Sequence, residues 1–358
     1  MTPTRVTAIS LESLTLPLTE PFAIAGGAPD VADNLLVRLQ LADGTVGLGE
    51  AAPFTAVTGE TAASTRAALE RGSAQWLGAD ARGWRPLCAQ LAQALPEAPS
   101  ARCALETALL DALARHYRTP LWVFFGGAGT ALETDMTVTA GDVAHALAST
   151  RAILARGIHT LKVKVGALEP EGDLERLVAI RAAAPHARLF VDANGGYSLA
   201  QARAFLKGVA REGVGLALFE QPVHPSDLEG MAALTREAPM PICADESARS
   251  AADVLRLVRA GAASAVNIKA MKYGVAEALH IWSLARTAGL ELMVGAMLES
   301  ILAASLSAHL AAGLGGFSYV DLDTPLFIAR HPFRGGSRQE GARLSVAEVE
   351  AGHGVQWA

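Results

Sequence analysis

The chain is 358 residues long, 51% hydrophobic, 18% charged and 5% aromatic, with alanine forming roughly a fifth of it. Such a composition buries a large core, so the chain needs neither disulfides nor a structural metal to fold, and it excludes a disordered protein. Thirty Lys and Arg against 36 Asp and Glu leave a formal charge of −6 without a basic run, which excludes a nucleic-acid footprint.

The opening third reads as β-rich and then helical. Residues 4–16 alternate in polarity, and Asn34–Leu41 and Thr45–Glu50 flank Asp43-Gly44, a strong two-residue hairpin signal. Ser100 is placed to cap a helix running to about Arg118, whose apolar stripe is Ala104, Leu105, Ala108, Leu109, Ala112 and Leu113. The Gly126-Gly127 pair ends this pattern, so residues 1–128 are expected to form an α+β domain of their own.

Residues 129–325 change rhythm. Short aliphatic strands are expected at Asp135–Thr139, Thr160–Val165, Arg188–Asp192, Gly215–Glu220, Pro241–Asp245, Ala265–Lys269, Glu291–Ala296 and Tyr319–Leu322. Helical stretches lie between them, among them Asp142–Arg156, Leu199–Arg211 and Val275–Ala288. Eight strands alternating with seven helices favour an α/β barrel over an open sheet. The run Ser300 to Val320 carries no formal charge and is long enough to span a bilayer. Ser305, Ser307, His309 and the Gly315-Gly316 pair make a buried helix followed by a buried strand the better reading. Pro325 follows the last strand where an eighth helix would stand, and the tail, 326–358, is expected to pack back on the first domain. Cys88, Cys103 and Cys243 lack CxxC spacing, and the start MTPTRVTAIS has no signal-peptide pattern, so a cytoplasmic protein with no membrane association is expected.

Charged residues recur where these strands end. Lys162 and Lys164 close the second, Asp192 the third, Glu220 the fourth, Asp245 the fifth and Lys269 the sixth. From Lys164 onward they stand 24 to 28 residues apart, about one βα unit, so all face the C-terminal mouth of the barrel. A single acid at a strand end commonly caps the next helix. Asp192, Glu220 and Asp245 on consecutive units instead form a hard oxygen site suited to Mg²⁺, and no His or Cys is present to favour zinc. A carboxylate bound to Mg²⁺ becomes an enediolate when its α-proton leaves. Lys162 and Lys164 on strand two and Lys269 across the barrel put lysines on opposite faces, so that one can remove the proton and another return it to the far face, a racemisation or epimerisation.

These motifs together, Lys162-x-Lys164, Val191-Asp192-Ala193-Asn194-Gly195, Glu220-Gln221-Pro222, Ala244-Asp245-Glu246-Ser247 and Asn267-Ile268-Lys269, resemble the enolase superfamily, muconate-lactonizing subgroup. The resemblance implies a (β/α)7β modified TIM barrel with an N-terminal α+β capping domain. Asp321-Leu322-Asp323 looks like the dipeptide epimerase signature that binds the substrate's free α-ammonium group, and Gly295 to Ser300 also resembles that group. With this resemblance, Lys164 and Lys269 are expected as the two acid/base groups, Lys162 as support for the carboxylate, and Thr137, Met297 and Glu299 as pocket lining. Ile24 occupies the position in the first capping loop where a basic residue is expected for acidic side chains, and Pro53–Val57 of the second loop is uncharged. The expected activity is therefore a Mg²⁺-dependent dipeptide epimerase favouring hydrophobic dipeptides, with a dipeptide and further copies of the chain as partners. An N-acylamino acid racemase or muconate-type cycloisomerase is the enzymatic alternative, marked by turnover of substrates without an ammonium group. A catalytically silent metal- or ligand-binding barrel is the alternative from another class, marked by absence of α-proton exchange.

Overall fold

The structure is a computed structural model and describes residues 2–23 and 27–358. Strands Val6–Pro17, Val31–Leu41 and Val46–Ala51 form an antiparallel meander. Its Asp43-Gly44 turn is closed by Leu41 N–H donating to Thr45 O, with Gly44 at φ 89°, a backbone state that a side chain disfavours. The helix Pro99–His116 lies across this sheet. Gly47 and Gly49 face the backbone of Ala108 and Ala104, so any Cβ there would collide with the helix. The alanine stripe is thus one half of a close contact whose other half is glycine. Ser100 does not cap this helix. Ala98 is the N-cap and Pro99 takes the first helical position, while the Ser100 N–H and O–H both donate to the Glu60 carboxylate. Proline fits that position because it has no N–H to satisfy.

Eight strands follow in strictly sequential order, every ladder between them parallel: Met136–Val138, Thr160–Lys164, Arg188–Asp192, Leu218–Glu220, Ile242–Ala244, Ala265–Ile268, Glu291–Gly295 and Phe317–Asp321. We number them as barrel strands one to eight. Asp135 N–H donates to Val320 O at 3.0 Å, and Leu322 N–H to Thr134 Oγ1 at 2.9 Å, which stitches the first strand to the last. Seven α-helices connect the strands, and a short 3₁₀ turn, Thr324–Phe327, stands where an eighth helix would follow strand eight. The charge-free run resolves into the helix Ile301–Leu314 and strand eight. Among the described residues no helix is long and apolar enough to cross a membrane.

Each strand is buried on both faces. Outward residues such as Val191, Phe219, Ile242 and Ile268 join the helices in the main core, while Phe190, Leu218, Cys243, Ala265, Met293 and Tyr319 cluster apart from it. Burial of one such aliphatic or aromatic side chain is worth about 1.5–3 kcal/mol.

Two glutamates of the first 128 residues fix the meander over the barrel mouth. Glu50, at the end of the third strand, accepts from Ser300 N–H, Ser300 O–H and Ala303 N–H at the start of the helix Ile301–Leu314. Glu106 accepts from Ala276 N–H at the start of the helix Val275–Thr287 at 2.8 Å. Each satisfies helix N–H groups that have no partner within their own helix. The tail touches both parts: Arg343–Ser345 pairs with Ala131–Glu133, and His353 N–H donates to Asp111 at 2.9 Å.

Candidate active site

The polar strand ends converge. Lys162, on strand two, is 1% exposed, and its Nζ lies 2.6 Å from Asp321, 2.8 Å from Glu220 and 3.1 Å from Asp192. Lys164, two residues on and on the same face, donates to Asp192 Oδ2 at 2.7 Å and to Asn194 Oδ1 at 3.2 Å. Across the ring, Lys269 follows strand six and pairs with Asp245 Oδ2 at 2.8 Å. Strands two and six are four positions apart in an eight-strand ring, so the two lysines enter from opposite sides.

Asp192, Glu220 and Asp245 are all buried and face one another across these lysines. Burial raises Asp245, but Lys269 and Lys272 outweigh it and hold its carboxyl well below the usual range. Glu220 is pushed up to about 7 by burial and by the charge of Asp192. Glu220 Oε2 and Asp245 Oδ2 each lie within ion-pair reach of a lysine, yet in directions that make no hydrogen bond. Two buried, under-satisfied oxygens and a carboxylate raised by its neighbour's charge are what a divalent cation relieves, so the donor set fits Mg²⁺. The tightest carboxylate group among the described residues lies elsewhere, at Asp135, Asp321 and Asp323, whose oxygens come within 4.8 Å of one another. Lysine ammonium groups lie among the three strand-end acids.

Burial lowers Lys162 and Lys269, but the surrounding carboxylates overcome it and raise both above the ordinary lysine range. Asp321 bonds Lys162, and Asp323 Oδ2 accepts the Thr137 N–H at 2.6 Å. Glu299 Oε1 accepts the Met297 N–H at 2.8 Å, and burial pushes its carboxyl up to about 8.

A cavity of about 40 Å³ brings these groups together: Thr137, Lys164, Lys269, Met297, Asp321 and Asp323 line it. Phe22, Phe54 and Val57 of the two capping loops cover it with apolar surface. Ile24 lies outside the described residues, while Lys162, Asp192, Glu220, Asp245 and Glu299 stand behind the lining. A larger hollow of about 640 Å³ adjoins at Val57, Asn194 and Glu246 but reaches none of Lys164, Lys269, Asp321 or Asp323.

Several contributors escape sequence reading. Lys272 Nζ donates to Asp245 Oδ1, to Asp245 O at 2.7 Å and to Asn267 O at 3.0 Å, so Asp245 is held between two lysines. Asn267 Nδ2 donates to Glu220 Oε1 at 2.6 Å. Gln221, at φ 34°, accepts from Asp245 N–H at 3.0 Å and Ser247 N–H at 3.1 Å, and so ties the ends of strands four and five together. The Asn-x-Lys-x-x-Lys spacing of Asn267, Lys269 and Lys272 was the available signal for two of them.

A nearly closed parallel barrel with an α+β unit over its mouth, and acids and lysines on successive strand ends, defines an enolase-type protein. Residues 7–126 match the mandelate racemase/muconate lactonizing enzyme N-terminal domain, and residues 144–358 match the enolase C-terminal domain-like family. The chain belongs to the mandelate racemase/muconate lactonizing enzyme branch of the enolase superfamily. It is 59% identical over 356 residues to an aromatic dipeptide epimerase of Herpetosiphon aurantiacus, covering 99% of this chain and 100% of the relative. A crystal structure of a mandelate racemase/muconate lactonizing protein from the same organism superposes with a TM-score of 0.97 at 58% identity, over 100% of both chains. A dipeptide epimerase from Enterococcus faecalis V583, complexed with Mg and the dipeptide L-Leu-L-Tyr, gives a TM-score of 0.94 at 32% identity, over 98% and 99% of the two chains.

Proposed function

We propose that the protein is a Mg²⁺-dependent dipeptide epimerase that inverts the α-carbon of the C-terminal residue and favours hydrophobic dipeptides. One observation carries this reading: Lys164, Lys269, Asp321 and Asp323 line a single cavity roofed by Phe22, Phe54 and Val57. Asp192, Glu220 and Asp245 would hold the metal. When bound, Mg²⁺ supplies positive charge to the substrate carboxylate, on which negative charge develops as the α-proton leaves.

Lys164 and Lys269 hold and move the proton at Nζ, one on each face of the α-carbon. The lysine that takes the proton must first be neutral. Asp245 holds the Lys269 proton in the free protein, and that hold would weaken if Asp245 were a metal ligand. Lys162 stays charged between Asp192, Glu220 and Asp321 and supports the substrate carboxylate. Asp321 and Asp323 receive the dipeptide's ammonium group, which an N-acylated amino acid lacks. The apolar roof selects the C-terminal side chain, and each apolar side chain placed there contributes about 1.5–3 kcal/mol. Residues 1–128 act as the specificity cap, 129–325 as the catalytic barrel and 326–358 as a strap between them. All three cysteines are buried and unpaired, which supports a reducing, cytoplasmic setting; a homo-oligomer is expected there.

A dipeptide library incubated in D₂O and read by mass spectrometry tests the reading. One deuterium entering the C-terminal residue of Xaa-hydrophobic dipeptides is expected, and the exchange should disappear on chelation. Preference for Xaa-Glu would refute the specificity, and exchange confined to N-acylated amino acids would refute the dipeptide assignment.

A further inference from the structure

Asp135 immediately precedes barrel strand one, where its N–H donates to Val320 O beside Asp321. Thr137, two residues on, gives its N–H to Asp323. Asp135 is 0% exposed, and neither of its side-chain oxygens has a hydrogen-bond partner. Asp323 Oδ1 is also buried without one. The carboxyl oxygens of Asp135, Asp321 and Asp323 approach within 4.8 Å, and the cation facing them, Lys162, is already shared with Asp192 and Glu220. Three anions cannot all persist in such a place, because like charges at this separation drive a proton onto one of them.

The hydrogen bonds identify which one. Asp321 is ion-paired with Lys162, and Asp323 accepts an N–H and opens onto the cavity, so both hold an anion more readily than Asp135 does. Asp135 accepts nothing and reaches no solvent. We propose that Asp135 is a positioning residue that keeps its carboxyl proton and donates it to Asp321 or Asp323 from beneath the substrate cavity. Burial, then the charges of Asp321 and Asp323, push the Asp135 carboxyl well up, and Lys162 only partly offsets them. With Asp135 neutral, Asp321 paired to Lys162 and Asp323 ionised, as it is above about pH 7, the receptor presents one uncompensated negative charge to one substrate ammonium group. This consequence rests on the reading of Asp321 and Asp323 as the ammonium receptor; the protonation of Asp135 does not.

Two measurements separate these halves. The first is the infrared difference spectrum of the substrate-free protein against Asp135→Asn near neutral pH. A protonated-carboxyl C=O band belonging to the native protein is expected; its absence, or its loss on adding Mg²⁺, would overturn the proposal in favour of an ionised Asp135 or a bound cation. The second is steady-state kinetics on the best dipeptide. Asp135→Leu removes the donor and is expected to raise KM by about tenfold while kcat falls less than about threefold, and the neutral amide of Asp135→Asn restores KM to within about threefold. If Asp135→Asn raises KM as much as Asp135→Leu, the charge of Asp135 binds substrate and the proposal fails. A band present with KM unmoved in Asp135→Leu would instead overturn the receptor half alone.

Discussion

The two ends of the barrel interior are built from the same strands, two residues apart. At the lower end Phe190, Leu218, Cys243, Ala265, Met293 and Tyr319 form an apolar plug. One step of two along the same strands stand Asp192, Glu220, Asp245, Asn267, Gly295 and Asp321. Alternate residues share a face, so the polar layer sits directly above the plug and is almost as deeply buried. The lower layer is stabilised by area removed from water. The upper layer gains little net stability from its ion pairs, because desolvation offsets most of their attraction. Burial of the plug holds the strands in register, and the polar layer uses that rigidity to keep unfavourable charges in place.

Removing a lysine from the site above the plug should have the largest effect. Lys269→Ala or Lys164→Ala is expected to lower kcat by about 10²–10⁴, the usual share of a proton-transfer group. Each variant should still exchange the α-proton of one substrate enantiomer with D₂O more readily than of the other. Full epimerisation by either would break the two-lysine assignment. In the plug the expectation reverses. Phe190→Ala should cost about 3–5 kcal/mol of stability in denaturant titration, with much smaller loss of turnover per folded molecule. If it instead abolished turnover in a protein of unchanged stability, the division between the layers would be wrong. Asp323→Asn comes next: loss of a charged partner for the ammonium group should raise KM about 10- to 100-fold and narrow the preference for dipeptides over their N-acetyl counterparts.

The strand-end residues were legible because each βα unit repeats the same grammar: an apolar strand, a polar terminus and a helix. All eight strands stand where periodicity put them, with ends displaced by a few residues, as at Leu218 against the expected Gly215. Those ends are set by ladder hydrogen bonds to neighbouring strands, which a local pattern does not contain. Ser100 was misjudged for a similar reason: its partner, Glu60, lies 40 residues away. Glu50, Glu106 and Asp135 were invisible because their roles come from contacts across the fold. Lys272 has a local sign in its spacing from Asn267 and Lys269, but its use shows only where it bonds Asp245.

The smallest effect, and the sharpest test of the difference between the layers, is in pH. Burial, followed by the charge of Asp321, raises the Asp323 carboxyl to about 7 in spite of the Thr137 N–H. On the proposed function its anion is the form that would receive an ammonium group, and below that value the proton must leave before substrate binds. KM at saturating Mg²⁺ should therefore rise as pH falls, by a little under tenfold between pH 7.5 and 6 for a single group near 7. An N-acetylated dipeptide acting as a competitive inhibitor should not share this rise, because it brings no ammonium, and Asp323→Asn should flatten it. A KM that stays level to pH 6 would place the titrating proton elsewhere, most directly on Glu220, which burial and Asp192 also raise to about 7. The plug offers no comparable response: its cysteine, Cys243, is held by burial far above the ordinary thiol range, and its tyrosine, Tyr319, is also raised by burial. Stability variants of the lower layer should thus keep the native KM–pH curve, because the charge that shapes it, on Asp323, stands past the polar layer and away from the plug.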